Sequence, residues 1–311
     1  MKKVINALII LCLIPFLFTG CRKKEEQPSI TIAEQYGLAY APLQIMKEKK
    51  FLETISPGTE VQWVRLANTA AIREAVLADE LDAGFMGIPP FLLARDKKMP
   101  WKIATALSQA PLGLVVNDAS IRTLNDFTPQ TRLALPQPGS IQHILLCMAL
   151  EKQKGDSTAL DSVLVSMKHP DGMNALLSDS LEGHFTSPPY IFQEEDQKGF
   201  SLLLSGEEAM GESFSFIVGM VTEDFYRSHP DLYIDYLKAL KQSVDFINEQ
   251  RDESIEILSE VYDMDPEILK DYLSRPGMVF ETEIRGLQQF IDFMTATNMI
   301  ENIETAGDVI F

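Results

Sequence analysis

Ala75-Val76-Leu77-Ala78-Asp79-Glu80-Leu81-Asp82-Ala83-Gly84-Phe85-Met86-Gly87-Ile88-Pro89-Pro90-Phe91 aligns without a gap on Ala175-Leu176-Leu177-Ser178-Asp179-Ser180-Leu181-Glu182-Gly183-His184-Phe185-Thr186-Ser187-Pro188-Pro189-Tyr190-Ile191, one hundred positions later. Ala75, Leu77, Asp79, Leu81, Phe85 and Pro89 recur as Ala175, Leu177, Asp179, Leu181, Phe185 and Pro189, and similar residues such as Asp82 and Glu182 fill the gaps. Each copy reads as the end of an amphipathic helix, a turn, a short buried strand and a helix begun at a diproline. One supersecondary unit used twice implies two lobes. Two lobes imply a cleft where strand ends and helix starts converge, which is where open α/β folds bind ligands.

Outward from the repeat, strands alternate with helices, so each lobe is expected to be a mostly parallel sheet flanked by helices. The first lobe takes strands at 29–34, 61–66, 83–86 and 103–107, with helices at 41–50, 69–78 and 89–97. Residues 112–116 form a further strand that leads toward the other lobe. The pattern then restarts, with strands at 133–135, 162–166 and 183–185 and helices at 140–154, 171–178 and 189–195. A strand at 214–221 returns to the first lobe, and helices broken at Pro230, Pro266 and Pro276 complete it. The expected division is 29–116 and 217–311 for the first lobe and 117–216 for the second.

Lys2 and Lys3 precede an apolar run from Val4 to Phe18 that is short for a membrane span and suits a secretory signal over residues 1–20. Phe18-Thr19-Gly20-Cys21 resembles a bacterial lipobox, with Cys21 as the lipidated residue and residues 21–28 as a charged tether. An uncleaved N-terminal anchor is the alternative, and it leaves the chain outside the membrane just the same. Beyond Cys12 and Cys21 the only cysteine is Cys147, so no internal disulfide can form. Four scattered histidines give no metal-ligand spacing, and no cofactor motif is present. Without Lys2 and Lys3, 25 basic residues face 45 acidic ones, a balance of −20 that disfavours nucleic acid and anionic lipid as partners.

Four loops carry a family resemblance: Tyr36-Gly37-Leu38-Ala39-Tyr40-Ala41-Pro42-Leu43, Phe85-Met86-Gly87-Ile88-Pro89-Pro90-Phe91, Leu135-Pro136-Gln137-Pro138-Gly139-Ser140 and Phe185-Thr186-Ser187-Pro188-Pro189-Tyr190. In this order and spacing the chain, from Ser29 to Ile300, resembles the solute-binding proteins of ABC importers for nitrate, sulfonates, taurine and thiamine-pyrimidine precursors. The resemblance implies a type II periplasmic-binding fold with two crossing segments. It further implies hinge closure on a solute, a monomer, and delivery to a membrane permease driven by a cytoplasmic ATPase.

Each loop sets a helix N-terminus at a strand's carboxyl end, where free N–H groups and the helix dipole favour a small anion or a polar solute. Candidate ligand contacts are Asn68, Thr69, Gly87, Ile88, Ser140 and Ser187 on these loops. Tyr36, Tyr40 and Tyr190 are candidates to stack on a ring, and His143 lies one turn into the helix after Ser140. A serine or threonine at a helix start also serves simply as a cap. Arg65 and Arg73 flank the second loop and can pair with a sulfonate or carboxylate. No arginine lies inside the four motifs, so an anion and a pyrimidine-like heterocycle both stay open. Biosynthetic enzymes share the fold, but no nucleophile, base and orienting group occur together here. A solute-sensing lipoprotein is a third possibility.

Overall fold

The computed structural model describes residues 27–35, 37–66 and 68–311 and contains two sheets. The first has six strands: β1 (Ser29–Glu34), β2 (Glu60–Arg65), β3 (Ala83–Gly87), β4 (Trp101–Gln109), β10 (Ile217–Thr222) and β11 (Val279–Phe280). The second has five: β5 (Gly113–Val116), β6 (Leu133–Leu135), β7 (Leu164–Ser166), β8 (Gly183–Thr186) and β9 (Ser201–Ser205). Strand order is β2-β1-β3-β10-β4-β11 in one and β7-β6-β8-β5-β9 in the other. Apart from the two-residue β11, the sheets share one order. In each, three parallel strands are followed by one antiparallel strand and then an edge.

The antiparallel member is in each case the first strand after the chain crosses between lobes. β5 follows the outward crossing and β10 the return. The expected boundary after Val116 therefore moves to before Gly113, because Leu114 and Val115 pair with Phe185 and His184 of β8 and not with the first sheet. β9 was absent from the sequence reading. Its Leu202-Leu203-Leu204 run carries no alternation and half of it is exposed at a sheet edge, so it lacks the pattern that marks a strand.

The repeat is structural. Helices Thr69–Leu77 and His169–Leu177 both end in a left-handed aspartate, Asp79 and Asp179, each at φ 55°. The N–H of Asp79 bonds the Val76 carbonyl and that of Glu80 the Ala75 carbonyl. Asp179 and Ser180 do the same to Leu176 and Ala175, so both helices close in a Schellman motif. The Asp82 carboxylate then accepts the Thr31 N–H at 2.8 Å, and Glu182 accepts the Arg132 N–H at 2.6 Å, pinning each turn to the second strand of its sheet, β1 at Thr31 and β6 at the residue before it. Leu81 and Leu181, with Phe85 and Phe185, are buried at matching places in the two cores. Each such phenylalanine contributes about 2 kcal/mol of apolar burial. Leu77 and Leu177 match in sequence yet stay exposed at both helix ends.

Behind the first sheet, helices Pro230–Glu249 and Arg251–Tyr262 pack against helix Ala41–Glu48 and against each other, and Pro266–Ser274 packs against Arg251–Tyr262. Among the described residues no helix is long and apolar enough to cross a membrane, and the signal, lipobox and tether residues up to 26 lie outside them.

Candidate ligand-binding site

A cavity of about 510 Å³ lies where the two sheets present their loops to each other. Helix N-termini from both lobes reach its wall: Tyr40 before Ala41–Glu48, Asn68 before Thr69–Leu77, Gly87 before Ile88–Asp96, Ser140 before Ile141–Lys154, and Lys168 before His169–Leu177. Asn68 Oδ1 accepts the Ala71 N–H at 3.0 Å and Ser140 Oγ accepts the His143 N–H at 3.3 Å, so these two side chains serve as caps as well as wall. The starts at Tyr40, Gly87 and Lys168 carry no side-chain cap; each has a proline in its first turn, and the Ala41 N–H is bonded to the Leu38 carbonyl, so only the remaining first-turn N–H groups can serve a solute. The lobes approach closely beside it. A Cβ on Gly139, held at φ 81°, would sit 2.7 Å from Leu93 of the first lobe, so only glycine fits that turn.

Tyr40, Asn68, Thr69, Gly87, Ser140, Ser187 and Tyr190 all line the cavity. Ile88 does not: it is fully buried in the first core, since the helix it opens turns that position inward. His143 does not either. Its Nδ1 accepts the Gly139 N–H at 3.2 Å, and its Nε2 lies 3.7 Å from Cys147 Sγ and 3.9 Å from Asp161, on the side of the helix away from the cleft. Burial pushes the Cys147 thiol up to about 12, so the pair is no activated nucleophile. Arg65 is taken by the buried Glu34 carboxylate at 3.0 Å, which also holds Lys47 at 3.3 Å and Gln44. Arg73 is absent from the wall. Tyr36 and Cys21 fall outside the described residues.

Several wall residues were not foreseen: Gln35, Gln137, Gln142, Lys168, His169 and Phe216. Lys168 and His169 had a signal, because they stand one hundred positions after Asn68 and Thr69 and so complete the repeat. Gln35 directly follows β1 and its amide donates to the Phe85 carbonyl at 3.1 Å, a place that only topology reveals.

The second-lobe side of the wall is built on a buried polar stack. His169 lies parallel to Tyr190 with ring centroids 5.7 Å apart, and its Nδ1 pairs with the buried Thr186 Oγ1 at 2.8 Å. Behind it, His184 sits 5.8 Å away and bonds Glu194 at 2.6 Å through Nδ1. Burial pulls both imidazoles down to about 3 and pushes the Glu194 carboxyl up to about 8, so the whole stack is uncharged near neutrality. Burial also raises the Tyr40 and Tyr190 phenols, which stay protonated.

The wall's charge is the opposite of the chain's. The protein has 45 acidic residues and a net charge of −18, yet among the described residues no carboxylate lines the cavity and one lysine does. Among the described residues no cluster of three or more His, Cys, Asp or Glu is placed to hold a metal ion.

The NMT1-like family matches residues 23–261. A Bacillus subtilis (strain 168) protein named as a candidate aliphatic sulfonates-binding protein is 26% identical over all of this chain and 95% of its own length. Among solved structures, the alkanesulfonate-binding protein SsuA from Xanthomonas axonopodis pv. citri, bound to MOPS, superposes with a TM-score of 0.75 at 19% identity over 91% of this chain and 98% of that one. The periplasmic aliphatic sulphonate-binding protein SsuA from Escherichia coli gives 0.72 at 17% over 91% and 92%. The nitrate-binding protein NrtA from Synechocystis PCC 6803 gives 0.70 at 16% over 91% and 85%. These relatives are named as solute-binding proteins, and the fold they share with this chain is the periplasmic-binding one.

Proposed function

The chain belongs to the NMT1-like family, and on that premise we propose that it captures a small organic anion, of the sulfonate type, outside the cytoplasm and passes it to an ABC permease. The observation that carries this reading is the cavity's charge. A described wall with one lysine, no carboxylate and helix N-termini from both lobes, in an otherwise acidic protein, selects for negative solutes. Tyr40, Tyr190 and Phe216 give the same wall apolar faces for an alkyl or ring body, which a bare nitrate would leave unfilled. Tethering through a lipid on Cys21 keeps the protein beside its permease.

The test is thermal unfolding of the protein without its lipid against taurine, longer alkanesulfonates, MOPS, nitrate, bicarbonate, thiamine pyrimidines and riboflavin. A millimolar solute on a micromolar site stabilises by about 4 kcal/mol, and the longer sulfonates are expected to do so. Stabilisation by a pyrimidine or flavin alone would replace the anion reading with a heterocycle one. Cys21→Ser is expected to release the protein from membranes and to abolish incorporation of a labelled fatty acid.

A further inference from the structure

The two lobes contribute repeat-related loops to the cleft, and the loops differ in charge. In the first lobe the helix after β2 begins at Asn68 and Thr69. In the second, one hundred positions on, the helix after β7 begins at Lys168 and His169. Asn68 turns its side chain back to cap its own helix, whereas no side-chain hydrogen bond caps the helix at Lys168. Among the described residues Lys168 is the one cationic residue of the cavity wall, and no carboxylate among them lies within ion-pair distance of it. Beside it, His169 is fixed at Nδ1 by Thr186 and at its flat face by Tyr190, with Nε2 3.5 Å from the hydroxyl of Ser187, another wall residue.

We propose that the second lobe holds the anionic head group, with Lys168 supplying the charge that discriminates a sulfonate from an uncharged analogue and the imidazole of His169 a positioned hydrogen-bond donor. The organic body then points toward Tyr40 and Phe216. This rests on the reading of the cavity as an anion site and assigns the solute's orientation within it.

The uncharged stack behind His169 fits the division of labour. Burial keeps His169 and His184 from carrying charge, so selection for a negative head falls to the lysine. Lys168 is exposed and makes no internal ion pair, so replacing it leaves folding intact. His169 touches Thr186 and Tyr190, so replacing it disturbs neighbours, and the pair Phe and Gln separates lost donation from lost packing.

The experiment is calorimetric titration of the purified protein with hexanesulfonate and with hexyl methyl sulfone, a tail-matched neutral molecule. Lys168→Met is expected to weaken hexanesulfonate at least tenfold, to flatten its salt dependence and to leave the sulfone unchanged. His169→Phe is expected to weaken the sulfonate at least fivefold, and His169→Gln, which keeps an N–H donor, to recover part of that loss. Unchanged hexanesulfonate affinity in Lys168→Met overturns the proposal while the anion reading stands. Equal losses for sulfonate and sulfone also overturn it, since they would mark Lys168 as a packing residue. Failure of the wild-type protein to bind any anion overturns both.

Discussion

Arg275 binds Asp196 at 2.8 Å and ties the C-terminal helices of the first lobe to the helix that Tyr190 opens in the second. Its guanidinium also lies 4.7 Å over the Phe192 ring and 5.1 Å from that of Tyr272, and it pairs with Asp271 at 2.8 Å. Gly277, two residues on, lies against Pro111 in the outward crossing, so the contact sits beside a crossing segment. A half-exposed ion pair contributes under about 1 kcal/mol, and the cation–π contacts add about 0.5–1 kcal/mol. Arg275→Ala is therefore expected to lower unfolding free energy by about 1–2 kcal/mol in urea titration. Arg275→Lys should keep less than half of the difference, because lysine cannot stack and fork together. A loss below about 0.3 kcal/mol would show that the lobes are joined without it.

Glu194 and His184 make the protein's stability depend on pH in a definite direction. Glu194 is fully buried with Oε2 unpartnered, and burial raises its carboxyl to about 8 from an ordinary value of 4.5. The native state thus holds a proton that the unfolded state has released, and stability falls as pH rises from about 4.5 through about 8. His184, drawn down to about 3, acts in the other direction: its contribution is present above 6.5 and is lost as pH falls toward 3. Glu194→Gln keeps a hydrogen-bonding partner for His184 without a titrating proton. Its midpoint is expected to exceed that of the wild type at pH 8.5 and to converge with it near pH 5. Parallel pH profiles for the two proteins would remove Glu194 as the source.

The repeat was legible because its identities sit where the backbone has no freedom. Asp79 and Asp179 occupy left-handed turns, and Phe85 and Phe185 occupy matched core sites. The crossing was legible only in part. Nothing in Gly113-Leu114-Val115-Val116 says which sheet it joins, because a buried four-residue strand looks alike on either side. At the site, loop residues following a strand were readable from position, so Tyr40, Asn68, Thr69, Ser140, Ser187 and Tyr190 stand on the wall. Ile88 and His143 stand off the wall because helix phase, not sequence distance, decides which side of a first turn faces the cleft. Arg65 failed because its partner, Glu34, lies 31 residues away on the neighbouring strand.

Tyr40 and Tyr190 are expected to respond differently to truncation. Tyr40 is buried among the first lobe's core, so Tyr40→Ala opens a void that costs about 3–5 kcal/mol and confounds any binding measurement. Tyr190 is half-buried, with its ring against His169. Tyr190→Ala should weaken solute binding at least tenfold while lowering unfolding free energy by less than about 2 kcal/mol. Calorimetry and urea unfolding on both variants separate the two. Unchanged affinity in Tyr190→Ala would take the aromatic face out of the site.

Asp79 and Asp179 offer a matched pair of backbone tests, one per lobe. Both sit at φ 55°, where any Cβ, the native aspartate's included, costs about 1 kcal/mol that glycine avoids. Asp79 makes no further side-chain bond within its turn, so Asp79→Ala should change unfolding free energy by less than about 0.5 kcal/mol, and in Asp79→Gly the relieved strain is offset by the greater freedom of the unfolded chain, for a net change near zero. Asp179 also accepts from the Asn117 side chain at 3.1 Å, which links its turn to the segment just after β5. Asp179→Gly should therefore lose about 0.5–1 kcal/mol even though its backbone is relieved. The two alanine changes lie in different lobes and share no partner, so their costs should add to within about 0.5 kcal/mol in the double variant. A large departure from additivity, read by urea unfolding, would mean that the two turns interact energetically from one lobe to the other.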